Sequence, residues 1–374
     1  MKVAFWVAAA LLAYTYLGYG GWLWLCNRLR PRPIHRAPYF PQLSVVMVVR
    51  DEAIVLERKL ENLLSLDYPV KALEIVVASD GSTDCTNKIL ASYTDSTSRV
   101  RSLLNPQSRG KAAGLNDAIA AARGEIIVFT DARQKIEPDA IRLLAENFAD
   151  SSVGCASGEL MLGDPDSGEA SKGMGLYWRI EKQIREMESS SGSVVGATGA
   201  IYAARRRLLP TLPPATLLDD VFIPLHISRL GARVVFDSRV HAWDVPNLGA
   251  GREFARKVRT LSGNYQLVQL APWLLTRSNP LRFEFVSHKL MRLLSPFALV
   301  LMLIASVCVQ NPAYRIGLGL QLVFYVLSGL AAARLALGPL ARMADAAFTF
   351  VILNVAALVA FANFITGRKV AWTR

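Results

Sequence analysis

The chain has 374 residues, of which 52% are hydrophobic, and its mean hydropathy is positive at +0.28. Both values are high for a wholly soluble protein, so the length allows one soluble domain plus membrane segments. The formal net charge of +12 fits a protein that meets anionic lipids or ligands, and without any nucleic-acid-binding motif it excludes nucleic acid as the predicted partner. Four cysteines without C-x-x-C spacing predict reduced thiols and no cysteine metal site.

The first predicted element is a membrane anchor over residues 1–26. Residues 3–26 are almost unbroken apolar sequence, which is long enough to cross a bilayer. The bulky distal end, with Trp22 and Trp24, is not that of a cleaved signal peptide. A basic, Pro-rich linker follows over residues 27–42 and places the rest of the chain on the cytoplasmic side by the positive-inside rule.

Three apolar runs after the linker predict buried, parallel strands at residues 44–49, 73–78 and 125–130. Such runs fit a sheet that is covered on both faces. Shorter runs at residues 153–157 and 233–236 predict further strands. Helical segments alternate with them, one ending at Gly124 as a C-terminal cap. The pattern predicts an α/β domain with a mostly parallel central sheet over residues 43–270.

Long apolar runs return near the C-terminus. Residues 290–309, 316–337 and 344–365 predict about three spans in a C-terminal membrane region, residues 290–374. The preceding residues 271–289 mix aromatic, basic and apolar side chains and predict an interfacial amphipathic segment. Three crossings would leave the basic tail outside the cytoplasm, against the positive-inside rule, so the sequence leaves the side of the tail open.

Carboxylates follow each of the three predicted parallel strands. Asp51 and Glu52 follow the first strand, Asp80 and Asp84 the second, and Asp131 the third. Ligands bind at the carboxyl edge of open α/β sheets. Because hard cations prefer oxygen ligands, the three loops predict a site for a divalent cation and a phosphate-bearing ligand. For Asp84, a helix cap is an equally good interpretation.

A transferase acting on nucleotide sugars needs a base for the acceptor hydroxyl and positive charge for the diphosphate. Asp219 and Asp220 open a predicted helix, whose N-terminus keeps them ionised, and they are the candidate base. Lys111 could approach the nucleotide base or the phosphate. Arg256 and Arg259 could pair with the diphosphate, since guanidinium matches phosphate oxygens.

Other polar residues receive structural interpretations. Residues 205–207 are three consecutive arginines and predict a solvated or lipid-facing basic patch. His226 and His241 have no partner at metal spacing, so we interpret them as ordinary surface or core residues. Residues 109–111 do not form a phosphate loop, because Asn105 stands where the first glycine of that motif belongs.

The motifs resemble those of the membrane-embedded branch of the family 2 glycosyltransferases, which have the GT-A fold. The resemblance covers residues 43–266 and extends loosely to the flanking spans. Seven pieces in order and at suitable spacing carry it, and they are residues 48–53, 79–84, 109–116, 130–133, 196–200, 218–220 and 256–260.

The resemblance implies roles for the residues at the strand ends. Asp80 matches the aspartate that binds the nucleotide base, assisted by Asp51, Glu52 and Lys111. Asp131 matches the first aspartate of the metal motif, and the family uses Mg²⁺ or Mn²⁺.

The resemblance also implies the chemistry. Asp220 matches the catalytic base, with Asp219 in the place of the preceding glutamate, and the family inverts the anomeric centre in one displacement. Arg256 and Arg259 match the Q/R-x-x-R-W motif of processive synthases such as those of cellulose, hyaluronan and poly-N-acetylglucosamine.

Two departures from the family pattern bear on the prediction. Arg133 stands at the usual second metal aspartate and could share the neutralisation of the diphosphate. Thr260 replaces the tryptophan that helps stack the acceptor sugar in processive enzymes, which puts polymer synthesis in doubt.

The resulting prediction is a multi-pass inner-membrane glycosyltransferase with a cytoplasmic catalytic domain. It would move a sugar from a UDP-linked donor to a growing polysaccharide, or alternatively to a membrane lipid. An inactive nucleotide-binding subunit of a polysaccharide machine is the second alternative, and further subunits or a homo-oligomer stay open. A transporter is disfavoured because few ionisable groups interrupt the apolar runs.

Overall fold

Eight strands form one sheet in the computed structural model, which describes residues 1–163, 176–244, 250–335 and 338–368. The strands are β1 (Leu43–Val49), β2 (Leu73–Asp80), β3 (Val100–Asn105), β4 (Ile126–Thr130), β5 (Lys135–Ile136), β6 (Val153–Leu162), β7 (Ile201–Arg205) and β8 (Arg233–Asp244). Their order across the sheet is β3-β2-β1-β4-β7-β6-β8-β5. β3, β2, β1 and β4 are parallel, whereas β7 runs antiparallel to β4 and β6. The predicted α/β fold with a mostly parallel sheet is confirmed.

Helices cover both faces of this sheet and extend from both ends of the domain. They are α1 (Lys2–Leu29), α2 (Ala53–Leu64), α3 (Thr86–Ser96), α4 (Lys111–Ala121), α5 (Ala140–Glu146), α6 (Leu176–Ser191), α7 (Asp219–Arg229), α8 (Ala250–Leu270), α9 (Arg282–Cys308), α10 (Pro312–Ala332) and α11 (Gly338–Ile365). Part of the segment predicted to be polar and helical, residues 172–175, lies outside the described residues.

The apolar runs become strands with both faces buried. Every residue of β1 and β4 is buried. In β1, Val45 belongs to the core on the face of α2, whereas Val46 belongs to the core on the face of α4. Successive side chains of a strand point to opposite faces, so a sheet covered twice needs apolar residues throughout.

Two strands are longer than their apolar runs. β6 has 10 residues and β8 has 12, and they pair in parallel with two irregularities in register. Polar residues interrupt the apolar pattern of both strands yet are buried with partners. Asp237 in β8, for example, accepts a hydrogen bond from Asn147 Nδ2 at 2.9 Å. Tertiary contacts therefore extend the strands beyond the pattern that predicts them.

Gly124 does not cap a helix, in contrast to the prediction. α4 ends at Ala121, and Ala122 takes an extended conformation. A Cβ at position 124 would lie 2.5 Å from the backbone nitrogen of Ser44. Gly124 is therefore explained by the close approach of two backbones at the start of β1.

The predicted basic patch at residues 205–207 is wrong for its first arginine. Arg205 is buried, and it donates hydrogen bonds to the carbonyl oxygens of Val153 and Phe148, each at 2.8 Å. Arg206 and Arg207 are exposed, as expected. The buried guanidinium satisfies carbonyls at the ends of other elements, which a local pattern does not reveal.

Four helices in the described parts of the chain, α1, α9, α10 and α11, are long and apolar enough to cross a membrane. One precedes the catalytic domain and three follow it, as predicted. α9 begins earlier than the predicted span, because residues 282–289 are helical and continuous with it. Phe285 in this first part is fully buried in the core of the α/β domain. The domain and this apolar helix therefore share a core.

A buried charge cluster joins α6 to α1 and α9. The His288 ring lies between two carboxylates, with Nδ1 at 2.8 Å from Glu188 Oε1 and Nε2 at 3.1 Å from Glu181 Oε1. Tyr19 donates to Glu188 at 2.6 Å, and Arg292 donates to Glu181 at 2.8 Å. We call these five residues the membrane-side cluster.

The two carboxylates of the membrane-side cluster are well compensated. Burial raises the pKa of Glu181, but Arg292 and His288 outweigh it and hold that pKa well below its usual value. Burial likewise raises the pKa of Glu188, and His288 and Tyr19 reverse the shift. Both groups are therefore ionised and paired, as buried charges need to be.

Candidate active site

The loops after β1 and β2 are tied to each other. Asp51 takes a left-handed backbone conformation with φ of 51°. Its Oδ1 accepts hydrogen bonds from the backbone nitrogens of Thr83 at 2.7 Å and Asp84 at 3.3 Å. Thr86 Oγ1 accepts from the backbone nitrogen of Glu52 at 2.9 Å. The predicted nucleotide-binding residues Asp51 and Glu52 thus lie beside the end of β2.

Asp80 lies at the end of β2, two strands from β4 and so about 10 Å away at ordinary strand spacing. It is fully buried. Its carboxylate accepts hydrogen bonds from Ser108 Oγ at 2.7 Å and from the backbone nitrogens of Arg109 at 2.7 Å and Gly110 at 2.9 Å. Asp80 therefore fixes the loop that opens α4, and its contact with a nucleotide base stays a prediction.

Asp84 acts as a helix cap. Its Oδ1 accepts a hydrogen bond from the backbone nitrogen of Thr86 at 2.9 Å, at the start of α3. Its Oδ2 accepts from the backbone nitrogen of Ala53 at 3.2 Å, at the start of α2. One carboxylate thus serves the N-termini of two helices, which fits the structural interpretation.

Lys111 joins the two acidic motifs on which the functional prediction depends. Its Nζ lies 3.1 Å from Asp131 Oδ1 and 3.2 Å from Asp219 Oδ1. Lys111 is the first residue of α4, Asp219 and Asp220 are the first residues of α7, and Asp131 follows β4. Two helix N-termini and a strand end therefore meet, and we call these four residues the catalytic cluster.

The charges in the catalytic cluster are unevenly compensated. Burial and the neighbouring Asp219 raise the pKa of Asp220 to about 6, although Lys111 opposes them. Burial also raises the pKa of Asp131, but Lys111, Arg133 and Arg259 outweigh it and lower the pKa. The pKa of Lys111 is raised, because three carboxylates overcome the effect of burial. The cluster thus contains one carboxyl group poised near neutrality beside one that is firmly ionised.

The small residues at 196–200 form a loop against Asp220. The backbone nitrogen of Ala197 donates to the Asp220 carbonyl at 2.7 Å. A Cβ at Gly199 would lie 3.2 Å from Asp220 Oδ2. Glycine at this position leaves room beside the carboxylate, which a larger residue would crowd. Tyr202 in β7 donates to Asp219 Oδ2 at 3.4 Å.

Lys59 is an unpredicted residue behind the site. It is buried, and its Nζ donates to Thr130 Oγ1 at 2.9 Å and to the Gln134 carbonyl at 2.7 Å. Burial lowers its pKa to about 7. The residue thus holds both ends of the loop that carries Asp131. Its signal in the sequence was a lysine on the apolar face of α2, next to Leu60.

The three arginines predicted at the diphosphate are only partly brought together. Arg133 and Arg259 lie close enough to lower the pKa of Asp131. Arg256 instead pairs with Glu253 at 2.8 Å and approaches Asp244 at 3.8 Å. A diphosphate contact of Arg256 stays a prediction that would require this pair to open.

The donor atoms near Asp131 fit a hard divalent cation. Within the described residues, no group of three or more His, Cys, Asp or Glu could hold a metal on its own. However, the Asp131 side chain is 40% exposed, and the Lys111 ammonium already places a positive charge between Asp131 and Asp219. A carboxylate completed by phosphate and water oxygens is an ordinary arrangement for Mg²⁺ or Mn²⁺.

A cavity of about 450 Å³ adjoins the catalytic cluster on the side of α8 and α11. Lys111 and Arg259 form one wall, and Asn363, Phe364 and Arg368 form another. The Phe364 ring stacks on Tyr265 of α8 with centroids 5.0 Å apart. The C-terminal end of the last apolar helix is therefore packed against the catalytic domain.

These features define a nucleotide-sugar-binding domain of GT-A type. Residues 44–212 match the sequence profile of glycosyl transferase family 2. The chain thus carries a family 2 glycosyltransferase domain, as its motifs predicted, together with apolar helices that support membrane embedding.

Named relatives fit this assignment. The chain is 23% identical over 272 residues to beta-monoglucosyldiacylglycerol synthase from Synechocystis sp., covering 70% of this chain and 56% of that protein. It is 22% identical to poly-beta-1,6-N-acetyl-D-glucosamine synthase from Staphylococcus epidermidis, covering 62% of this chain and 56% of that protein. The chain therefore spans little more than half the length of either relative.

A solved structure supports the whole architecture. The mannosyltransferase PcManGT from Pyrobaculum calidifontis, in complex with GDP-Man and Mn²⁺, superposes with a TM-score of 0.75. The alignment covers 98% of this chain and 100% of that one at 22% identity. The likeness shows that the catalytic domain and the flanking apolar helices share one fold with that protein.

Proposed function

We propose that the protein is an inverting glycosyltransferase at the cytoplasmic face of the inner membrane. It moves a sugar from a nucleotide-diphosphate donor to an acceptor presented at the membrane. The observation that carries the proposal is the meeting of Asp131, Asp219 and Asp220 around Lys111, with Asp220 alone near neutrality in its pKa.

Asp220 is the general base. With a pKa of about 6, it is mostly ionised at neutral pH and still basic enough to accept the proton of an acceptor hydroxyl. Gly199 leaves space beside its Oδ2 for the acceptor. Lys111 offsets the charge of the neighbouring carboxylates, so that Asp220 does not become protonated at working pH.

Asp131 is the residue that would hold Mg²⁺ or Mn²⁺. The cation supplies positive charge that neutralises the diphosphate leaving group. Arg133 and Arg259 lie beside Asp131 and pair with phosphate oxygens of the donor. The arginine in place of a second metal aspartate thus adds positive charge at the same point.

The donor is proposed to be UDP-linked, with its base near the loops of Asp51, Glu52 and Asp80. The polysaccharide acceptor rests on the Arg256–Arg259 motif, but Arg256 is engaged by Glu253. A lipid acceptor is favoured by the cavity, because α11 forms one of its walls. We therefore propose the lipid acceptor first and the polysaccharide second.

The test is a screen of sugar nucleotides against the purified chain in lipid, with Mg²⁺ and Mn²⁺ compared. Donor turnover is expected with one nucleotide and is abolished by excess EDTA. Full turnover in EDTA would remove the proposed role of Asp131. A single-turnover product with one added sugar supports the lipid acceptor, whereas a ladder of products supports the polysaccharide.

Asp220→Asn separates the enzyme from an inactive subunit. The amide cannot accept the proton, so turnover should fall by about two to four orders of magnitude. Asp95→Asn, at an exposed position of α3, is the matched control and should keep full activity. If wild type and Asp220→Asn bind nucleotide but are equally inert with every donor, the chain is a binding subunit.

A further inference from the structure

The cavity between the catalytic domain and α11 has an unusual charge. Its lining includes four cationic residues, Arg109, Lys111, Arg259 and Arg368. No carboxylate is present among the described residues that line it. A concave surface with cations alone is suited to an anionic ligand.

Two of the four cations have charge to spare. Arg109 pairs with Asp117, and Lys111 pairs with Asp131 and Asp219. Arg259 and Arg368, by contrast, form no ion pair within the parts of the chain that the structure describes. These two guanidinium groups come from different walls, one from α8 and one from the residues just after α11.

A buried hydroxyl supplies an independent sign of a ligand. Ser262 lies one turn after Arg259 on α8 and also lines the cavity. It is only 9% exposed, and its Oγ has no hydrogen-bond partner among the described residues. Buried polar atoms nearly always have a partner, so this one points to a group that binds there.

The walls of the cavity indicate where the ligand comes from. Phe364 and Arg368 lie at and just beyond the end of an apolar helix that is long enough to span a membrane. Basic residues at such helix ends lie at the level of lipid headgroups. An anionic group that enters from this side is therefore attached to a lipid.

The donor diphosphate is a less suitable occupant. The residues expected to grip the donor, Asp51, Asp80 and Asp131, do not line this cavity, whereas Lys111 borders both regions. A donor held by those loops reaches Lys111 from the other side. The cavity is then left for the second substrate.

We propose that this cavity binds the phosphate-bearing head of a membrane lipid and that this lipid is the acceptor. Arg259, Arg368 and Ser262 hold the phosphate, and Phe364 contacts the start of the apolar chain. The acceptor role rests on the proposed glycosyl transfer, but the binding itself does not. The last apolar helix is thereby a part of the substrate site.

Equilibrium binding of radiolabelled farnesyl phosphate to the full chain in neutral detergent tests the proposal. Farnesol, inorganic phosphate and UDP are the competitors. Farnesyl phosphate should bind at least about tenfold more tightly than farnesol, since a charge-assisted hydrogen bond contributes that much. Inorganic phosphate and UDP should compete poorly.

Three variants locate the site. Arg368→Ala and Ser262→Ala should each weaken binding of farnesyl phosphate, the arginine variant by about tenfold. Arg342→Ala removes the same charge at an exposed position near the other end of α11 and should bind as wild type does. Arg368→Ala is at an exposed position, so its fold is not at risk.

Several results would overturn the proposal. Equal binding of farnesol would show an apolar pocket, and strong competition by UDP would assign the cavity to the donor. Strong competition by inorganic phosphate would mean that no lipid is required. Unchanged binding in Arg368→Ala would remove α11 from the site. Donor hydrolysis by wild type without lipid is measured in parallel, so that a failure of the glycosyltransferase proposal is seen separately.

Discussion

The catalytic cluster and the membrane-side cluster are built from similar groups but differ in their balance. Around Lys111, three carboxylates surround one lysine, and the pKa of Asp220 rises to about 6. Around His288, two carboxylates meet a histidine, an arginine and a tyrosine hydroxyl, and both carboxyl pKa values fall. Burial acts in both places, and the number of compensating partners decides the direction of the shift.

The difference separates a reactive cluster from a structural one. Incomplete compensation leaves a group that can exchange a proton near neutral pH, which catalysis requires. Complete compensation gives ionised, paired groups that hold three helices together. Substitutions in the two clusters should therefore have different signatures, one in the pH profile and the other in the unfolding temperature.

Lys111→Met should have the largest effect. It leaves three carboxylates without their shared cation, so the pKa of Asp220 rises further and the acidic limb of the activity profile moves to higher pH. Removing one partner of a buried pair costs about 3–5 kcal/mol, and a comparable loss of transition-state stabilisation is expected. The measurement is kcat/KM across pH. Lys111→Arg, which keeps the charge, should recover part of the activity, and an unshifted profile in Lys111→Met would contradict the assignment.

His288→Ala should destabilise the fold without moving the pH profile. It leaves Glu181 and Glu188 without a shared partner, and the expected loss is again about 3–5 kcal/mol of unfolding free energy. Thermal unfolding in detergent measures it. His288→Gln keeps one hydrogen bond and should lose less. If His288→Ala instead shifted the acidic limb at unchanged stability, the two clusters would not be separate.

The wild-type pH profile sharpens the contrast. Because Asp220 must be ionised to act as the base and its pKa is about 6, activity should fall about tenfold per pH unit below that value. Above it, the acidic group no longer limits the rate. A limb near the ordinary aspartate pKa would mean that Asp220 is not the base.

The stability of Asp220→Asn should change in the opposite sense to its activity. A carboxyl group whose pKa is raised by folding lowers stability once the pH exceeds its unfolded pKa. The Asn variant should therefore unfold at a higher temperature than wild type at about pH 8, and the gap should close toward about pH 4. A lower unfolding temperature at both values would argue against an unfavourable buried carboxylate.

Tyr202→Phe should have the smallest effect. The variant removes one long hydrogen bond to Asp219, of 3.4 Å, and leaves the stack of the ring on Phe129 intact. A loss of about 0.5–1.5 kcal/mol in unfolding free energy is expected. A loss as large as that of His288→Ala would place Tyr202 among the fully compensated groups.

The sequence predicted those features whose causes are local. Continuous apolar runs identified β1, β2 and β4, and the parallel arrangement placed Asp131 at one edge. The sequence pieces around Lys111 and Asp220 also identified a domain type in which they meet. Local periodicity is sufficient for such elements because side-chain direction follows directly from position along a strand or helix.

The polar residues that were missed depend on distant partners. Lys59 meets Thr130 and Gln134, Arg205 meets carbonyls of other elements, and His288 meets two glutamates about 100 residues away in the chain. Gly124 is explained only by the backbone of Ser44. No pattern within a segment reports contacts that form across the fold.

The Thr130 hydroxyl connects the two halves of the reaction. It accepts a hydrogen bond from Lys59 and donates one to the carbonyl of Ala200, at 2.9 Å in each case. Asp131 is the next residue along one strand, and Gly199 beside Asp220 precedes Ala200 along the other. A shift of the segment that meets the leaving group is therefore passed on mechanically to the segment that meets the nucleophile. Departure and attack are kept in register by a single oxygen atom that touches neither substrate.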